Sequence, residues 1–255
     1  MIRIPDISAR WRRRATGLAV ALLTFGLADP ALANSISLNL SDGLGLTDHV
    51  VQIVALVTIL SLAPSILIMV TSFVRIIVVL SLLRTALGMQ QSPPNAVLVS
   101  LALFLTAFVM TPTFTKAYDA GILPLMNQEM EMGEAFEKSS EPFKTFMLSQ
   151  VRKQDLKLFV DLSNIDEPEE ATDIGLQVLV PAFMISELRR AFEIGFLVFL
   201  PFIIIDMVVA SVLMSMGMMM LPPIIISLPF KLIFFVLLDG WYMIAGSLVQ
   251  SYGPL

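Results

Sequence analysis

Four apolar stretches, each too long, too short or too interrupted to be an ordinary membrane span, constrain this chain more than any motif does. Val50 to Leu83 is almost wholly apolar, broken by Pro64 and carrying one charge, Arg75. As helix it would run roughly 50 Å against a hydrocarbon layer of about 30 Å, so it should tilt, kink at Pro64 or lie partly outside lipid. Ala96 to Thr111 is limited by Pro112 to about 24 Å of helix, short for a crossing. Ile174 to Leu213 contains Pro181, the cluster Glu187, Arg189, Arg190 and Glu193, then Pro201 and Asp206. Ile224 to Val249 carries Pro229, Lys231 and Asp239. No repeat of fixed period links the four.

The composition agrees with a membrane protein. Hydrophobic residues make up 56% of the chain and charged residues 15%, against roughly half and a quarter in a soluble domain. Mean hydropathy is +0.84. With 16 Lys+Arg against 21 Asp+Glu, net charge −5, the chain lacks the basic surface of a nucleic-acid binder. It has no cysteine and one histidine, His49, which removes disulfides, thiolate chemistry and histidine metal cages. His49 itself reads as a surface or headgroup-level residue. Phosphate-binding glycine loops, G-x-S-x-G and H-E-x-x-H are all missing. Asp206 and Asp239 lack the Tyr or Gly context of an intramembrane aspartyl protease. The residues therefore nominate no catalytic, cofactor-binding or metal-binding site.

Residues 1–33 have the form of a cleavable signal peptide. Arg10, Arg12, Arg13 and Arg14 precede the apolar Ala15 to Ala28, and Ala31-Leu32-Ala33 supplies a small-x-small cleavage pattern. The apolar part, about 14 residues, is short of the roughly 20 that span a bilayer. Cleavage would leave 11 positive against 19 negative charges, beginning with Asn34.

Beyond the leader, residues 34–111 read as hydrophobic helical hairpins after a polar lead-in. Residues 112–173 form an acidic helical insert with 6 Lys/Arg against 13 Asp/Glu. Within it Glu141 to Leu162 has the spacing of an amphipathic helix, with Phe143, Phe146, Met147, Val151 and Leu158 on one face, and Ile165 to Asp173 is a polar loop. Residues 174–255 form a second set of hydrophobic hairpins joined by a methionine-rich turn. Four crossings would place the turns at 84–95 and 214–223 inside and the insert outside. The positive-inside rule supports this poorly, since the first turn has only Arg84 and the second no basic residue. Short, kinked, charge-bearing helices fit better where protein buries them.

Charges inside such segments need partners, at about 2.5–3.5 kcal/mol each on insertion scales. Asp206 and Lys231 lie at similar distances on either side of Gly217, roughly 17–21 Å along helices of a hairpin turned there, and should pair within one chain or between copies. Glu187 could pair with Arg189 or Arg190 across one helical turn. Arg75 either snorkels or is buried against a carbonyl or a neighbour. The turn Met214 to Met220 holds five methionines, and this adaptable side chain suits either a packed hairpin or a seal closing around a passing chain.

The runs TSFVRIIVVLSLLRTALGMQQSPPN (71–95), LALFLTAFVMTP (101–112), PAFMISELRRAFEIGFLVFLPFIIIDMVVASVLMSMGMMMLPP (181–223) and ISLPFKLIFFVLLDGW (226–241) resemble the FliP family of bacterial type III protein export gates. The leader and the M-S-M-G-M-M-M-L-P-P form are similar to its flagellar branch, with the related virulence-injectisome subunit as the alternative. The resemblance implies an all-α, non-enzymatic subunit of the bacterial inner membrane, within the flagellar basal body, needing no cofactor. It implies a helically arranged pore ring built with FliR and FliQ, standing largely above the membrane plane, through which unfolded flagellar proteins leave the cytoplasm. By the same resemblance Met216, Gly217, Met218, Met219 and Met220 become a gate gasket, and Glu187, Asp206 and Lys231 contacts between subunits. A small-solute secondary transporter using Asp206 and Lys231 would require inverted repeats, which the sequence does not contain.

Overall fold

The computed structural model describes residues 53–54, 57–58, 60–62, 65–66, 68–89, 91–163, 174–218 and 221–253. The leader 1–33, the lead-in, His49, the Pro64 kink, the loop 165–173, Met219 and Met220 lie outside the described residues. The chain divides into two units, Met1–Thr58 and Ile59–Leu255. In the first, the Thr58 hydroxyl donates to the Val54 carbonyl at 2.7 Å, a helical i, i+4 contact.

In the second unit all regular structure among the described residues is helical, as the sequence predicts. Helix α1 (Phe73–Ala86) is its centre, burying Phe73, Val74, Arg75, Ile76, Val79, Leu80, Leu83 and Ala86. It closes at Gly88, whose φ of 76° only glycine adopts freely. The Gly88 N–H donates to Thr85 and that of Met89 to Arg84, which satisfies two end carbonyls.

Helix α2 (Asn95–Ala117) runs through Pro112 instead of stopping there, then continues by a π-helical turn (Tyr118–Ile122) into the short α3 (Leu123–Met126). A proline removes one N–H and bends a helix, but nearby hydroxyls can occupy carbonyls of the disturbed turn. Thr111 lies in that turn and donates to the Ala107 carbonyl at 2.7 Å, and Thr115 donates to the Thr111 carbonyl at 3.0 Å one turn on. The expected boundary between hairpin and insert therefore falls inside an unbroken helical stretch.

The amphipathic run of the insert is two helices, α4 (Met132–Gln150) and α5 (Lys153–Ser163), separated by an extended Val151 with ψ of 140°. The break frees the Arg152 N–H to bond the Ser186 hydroxyl at 3.1 Å. At the π turn Gly121 presses on α4; a Cβ there would lie 2.0 Å from Ser139 Oγ and 2.3 Å from the Ala135 carbonyl oxygen.

Helix α6 (Leu176–Ser215) has 40 residues with Pro181 and Pro201 inside, so it is roughly 60 Å long, twice a hydrocarbon layer. It crosses α1 where Gly195 meets Leu82, close enough that a Cβ would lie 2.3 Å from Leu82 Cδ1 and that side chain would have to turn aside. Helix α7 (Pro223–Leu237) and helix α8 (Gly240–Gln250) are bent by 63° to each other. The apolar core joins α1, α2, α6 and α8 through Ile76, Val79, Leu98, Ala102, Ala191 and Leu248. A second cluster joins α1, α6 and α7 through Leu83, Leu87, Phe202 and Phe235, and a third seats α4 on α6 through Met147, Leu179 and Phe183.

Among the described residues two helical stretches, Asn95–Met126 and Leu176–Ser215, are long and apolar enough to cross a membrane, or three if α7 and α8 count as one. The stretch containing α1 contributes 14 regular residues in that helix, too few alone to span.

Candidate functional site

Arg75 is wholly buried at the centre of the fold, which settles the choice the sequence leaves open. Its guanidinium meets the Glu187 carboxylate through two N–H groups, Nε to Oε2 at 2.9 Å and Nη2 to Oε1. Nη1 donates to the Ser251 carbonyl at 3.1 Å and to the Ser251 hydroxyl at 3.0 Å, and Nη2 reaches Gln150 Oε1 at 3.2 Å. All five guanidinium N–H groups are thereby used, the condition under which a buried arginine is tolerated. Tyr252 lies beneath, its ring centroid 3.8 Å from Arg75 Cζ and its hydroxyl 2.8 Å from Glu187 Oε2. Burial, with the nearby Glu187 charge, raises the Tyr252 hydroxyl well above its ordinary pKa, so it stays a donor.

Glu187 thus pairs with Arg75 and not with Arg189 or Arg190, correcting the local pairing expected from sequence. Helical geometry explains the difference. Glu187 faces inward on α6 while Arg189 points outward and pairs with Glu193 at 3.0 Å. One residue earlier, Ser186 serves the insert: its hydroxyl lies 2.7 Å from Asp155 Oδ2, and Arg152 clamps the same carboxylate with two bonds of 2.9 Å. The Arg152 hydrogen bonds hold the Asp155 carboxyl below the usual range; burial opposes this, and Ser186 adds to it.

The second buried charge is Lys231. Its Nζ lies 2.6 Å from Asp206 Oδ2 and 3.2 Å from the Ala86 carbonyl at the end of α1. The Ser227 hydroxyl donates to the other Asp206 oxygen at 2.5 Å. The pairing inferred from equal height on a hairpin is present, and it lies within one chain. An ammonium at the last carbonyls of α1 also complements the negative end of that helix.

Between the paired helices, Met216, Gly217 and Met218 make the turn after α6. Gly217 has φ of 74°, and the N–H groups of Gly217 and Met218 return to the carbonyls of Met214 and Leu213 at 3.1 and 3.0 Å. This closure leaves the side chains outside: Met216 is 60% and Met218 38% exposed. Among the described residues no group of acidic or histidine side chains could hold a metal ion.

Long apolar helices whose charges are neutralised inside the fold, and whose apolar side chains face outward, define an all-α membrane protein. Its polar groups hold helices together. The chain belongs to the FliP family, whose profile matches residues 56–248. It is 65% identical over 243 residues to the flagellar biosynthetic protein FliP of Caulobacter vibrioides, covering 94% of this chain and 91% of the relative. It is 55% identical over 202 residues to that of Bacillus subtilis (79% and 91% covered) and 47% identical over 237 residues to that of Agrobacterium fabrum (92% and 97% covered). It is accordingly a membrane protein of flagellum biogenesis and export, and not an enzyme.

Sequence reasoning missed Gln150, Ser227, Ser251 and Tyr252. The signal for them was indirect: a charge in an apolar run demands polar company, and Ser251-Tyr252 is a polar pair closing the final apolar run.

Proposed function

We propose that this chain is a pore-forming subunit of the flagellar type III export gate, assembling with FliR and FliQ into a ring in the bacterial inner membrane, within the basal body. Unfolded flagellar proteins pass through that ring. Family membership supports the flagellar role, and one observation supports assembly. The most apolar stretch of α6 is only 11% buried within the chain, on a helix roughly twice as long as lipid can cover. The remainder is suited to neighbouring subunits.

In this reading the Arg75–Glu187 and Asp206–Lys231 pairs act on subunit contacts at one remove, by fixing α6 against α1 and α7. Asp206 keeps 33% of its side chain exposed, and that portion is available to a neighbour. Met216 and Met218, with Met219 and Met220 beyond them, form the gasket, where flexible apolar side chains exclude water yet yield to a passing chain.

Native mass measurement of the complex purified in detergent tests the assembly. A ring containing two further hydrophobic partners is expected, and a monomer or dimer without them refutes the reading. Conductance tests the gasket: deleting Met218 to Met220 should leave the ring intact and make reconstituted complexes leak ions. A deletion ring as tight as the parent would show that the turn is packing.

A further inference from the structure

We propose that Ser251 and Tyr252 form a strap that holds α8 bent away from the line of α7, and that releasing this strap lets the pair swing toward one straight span. Apolar burial alone holds α8 weakly. Of its residues only Gly240 and Leu248 are buried, and Trp241, Tyr242 and Met243 face outward.

The strap supplies the rest. Ser251 gives its carbonyl and hydroxyl to Arg75. Tyr252 slides its ring under the same guanidinium and hydrogen-bonds Glu187 and the Ser72 carbonyl, the latter at 3.2 Å. The Gln150 amide donates to the Tyr252 carbonyl at 3.4 Å, and the Phe146 ring stacks on the Tyr252 ring at 6.0 Å. Helix α7 is pinned independently, by Lys231 on Asp206 and Ala86.

The bend between these two anchors turns at Asp239, whose φ of 50° is left-handed, a conformation Asp adopts more readily than most residues other than glycine. Gly240 fits beneath Phe235, and Phe235 meets Trp241 edge-on at 5.4 Å across the bend. Taken together, α7 and α8 have the apolar length of a single span. Unbent, residues 223–250 would make a helix of roughly 42 Å, with Lys231 and Asp239, eight residues apart, on one face. The chain thus has two geometries for this segment, and the strap selects the bent one.

The chain has no cysteine, so two introduced thiols report without interference. Spin labels at Ile224→Cys and Ser247→Cys, on the full chain in lipid nanodiscs, measure the span across the bend by pulsed electron resonance. The parent should give one short distance. Deletion from Ser251 onward should shift most of the population roughly 6 Å longer, and Tyr252→Phe should give a mixture of the two. An unchanged distance in the deletion would overturn the proposal, leaving the bend to Asp239 and the Phe235–Trp241 contact. If the deleted chain does not accumulate, Tyr252→Phe decides alone, and a single short distance there overturns it equally.

Discussion

Removing Arg75 and Glu187 together should damage this fold less than the sum of removing each alone. In Glu187→Met the guanidinium stays buried and loses its counter-charge and two of its five hydrogen bonds, while the Tyr252 hydroxyl loses an acceptor. Breaking one side of a buried pair costs about 3–5 kcal/mol, because the surviving charge has neither water nor partner. Arg75→Met removes the charge from the other side and strands Glu187 at a similar penalty. The double variant Arg75→Met/Glu187→Met leaves no buried charge; such replacements by apolar residues of similar volume are often neutral or better. Here Gln150 and Ser251 would still lose their partner, at about 1–3 kcal/mol for each group left unsatisfied, so recovery is incomplete. Thermal and denaturant unfolding of the four proteins in one detergent completes the cycle, and a coupling of about 2 kcal/mol or more is expected. Additive single effects would refute the hub, showing that the two side chains act separately despite their contact.

Further outcomes follow from the other contacts. Asp155 has its carboxyl pKa lowered in the folded chain, so its contribution is present above the ordinary value of 3.8 and is lost as pH falls through the folded value; unfolding followed against pH should lose that acid-side slope in Asp155→Asn. Gly121→Ala places a methyl group against the Ala135 carbonyl, a backbone atom that cannot turn aside, and should destabilise the π turn by about 1–3 kcal/mol; faster hydrogen exchange over residues 118–140 is the readout. Lys231→Ala leaves Asp206 and the Ala86 carbonyl without their cation and should cost about 3 kcal/mol, the low end for a broken buried pair because Asp206 is partly exposed; lowered melting and loss of motility would register it.

How much of this was legible beforehand depends on distance along the chain. Helical class, the Met turn and the Asp206–Lys231 pair could be read because each rests on local periodicity or on symmetry about one turn. The partner of Glu187 could not. Arg189 and Arg190 are near in sequence, and only the rotation of α6 against α1 shows that Glu187 faces Arg75, 112 positions away. Prolines misled in a consistent direction. Pro112, Pro181 and Pro201 suggest short, broken segments, yet α2 and α6 run through all three. Tertiary packing holds a bent helix together where propensity alone would end it. Val151 was the converse, a residue of an apparently continuous amphipathic run whose extended backbone exists to deliver the Arg152 N–H to Ser186.

The reach of the Arg75 contacts sets a schedule for biosynthesis. Glu187 follows Arg75 by 112 residues and Ser251 by 176. At about 5–20 residues per second, a nascent chain carries an unneutralised arginine in an apolar helix for roughly 6–22 s before its carboxylate is made, and longer before its last acceptors emerge. During that interval the unpaired charge would cost about 2.5–3.5 kcal/mol in hydrocarbon unless it snorkels. Closure of the core around Arg75 therefore waits on translation of Glu187 and Ser251.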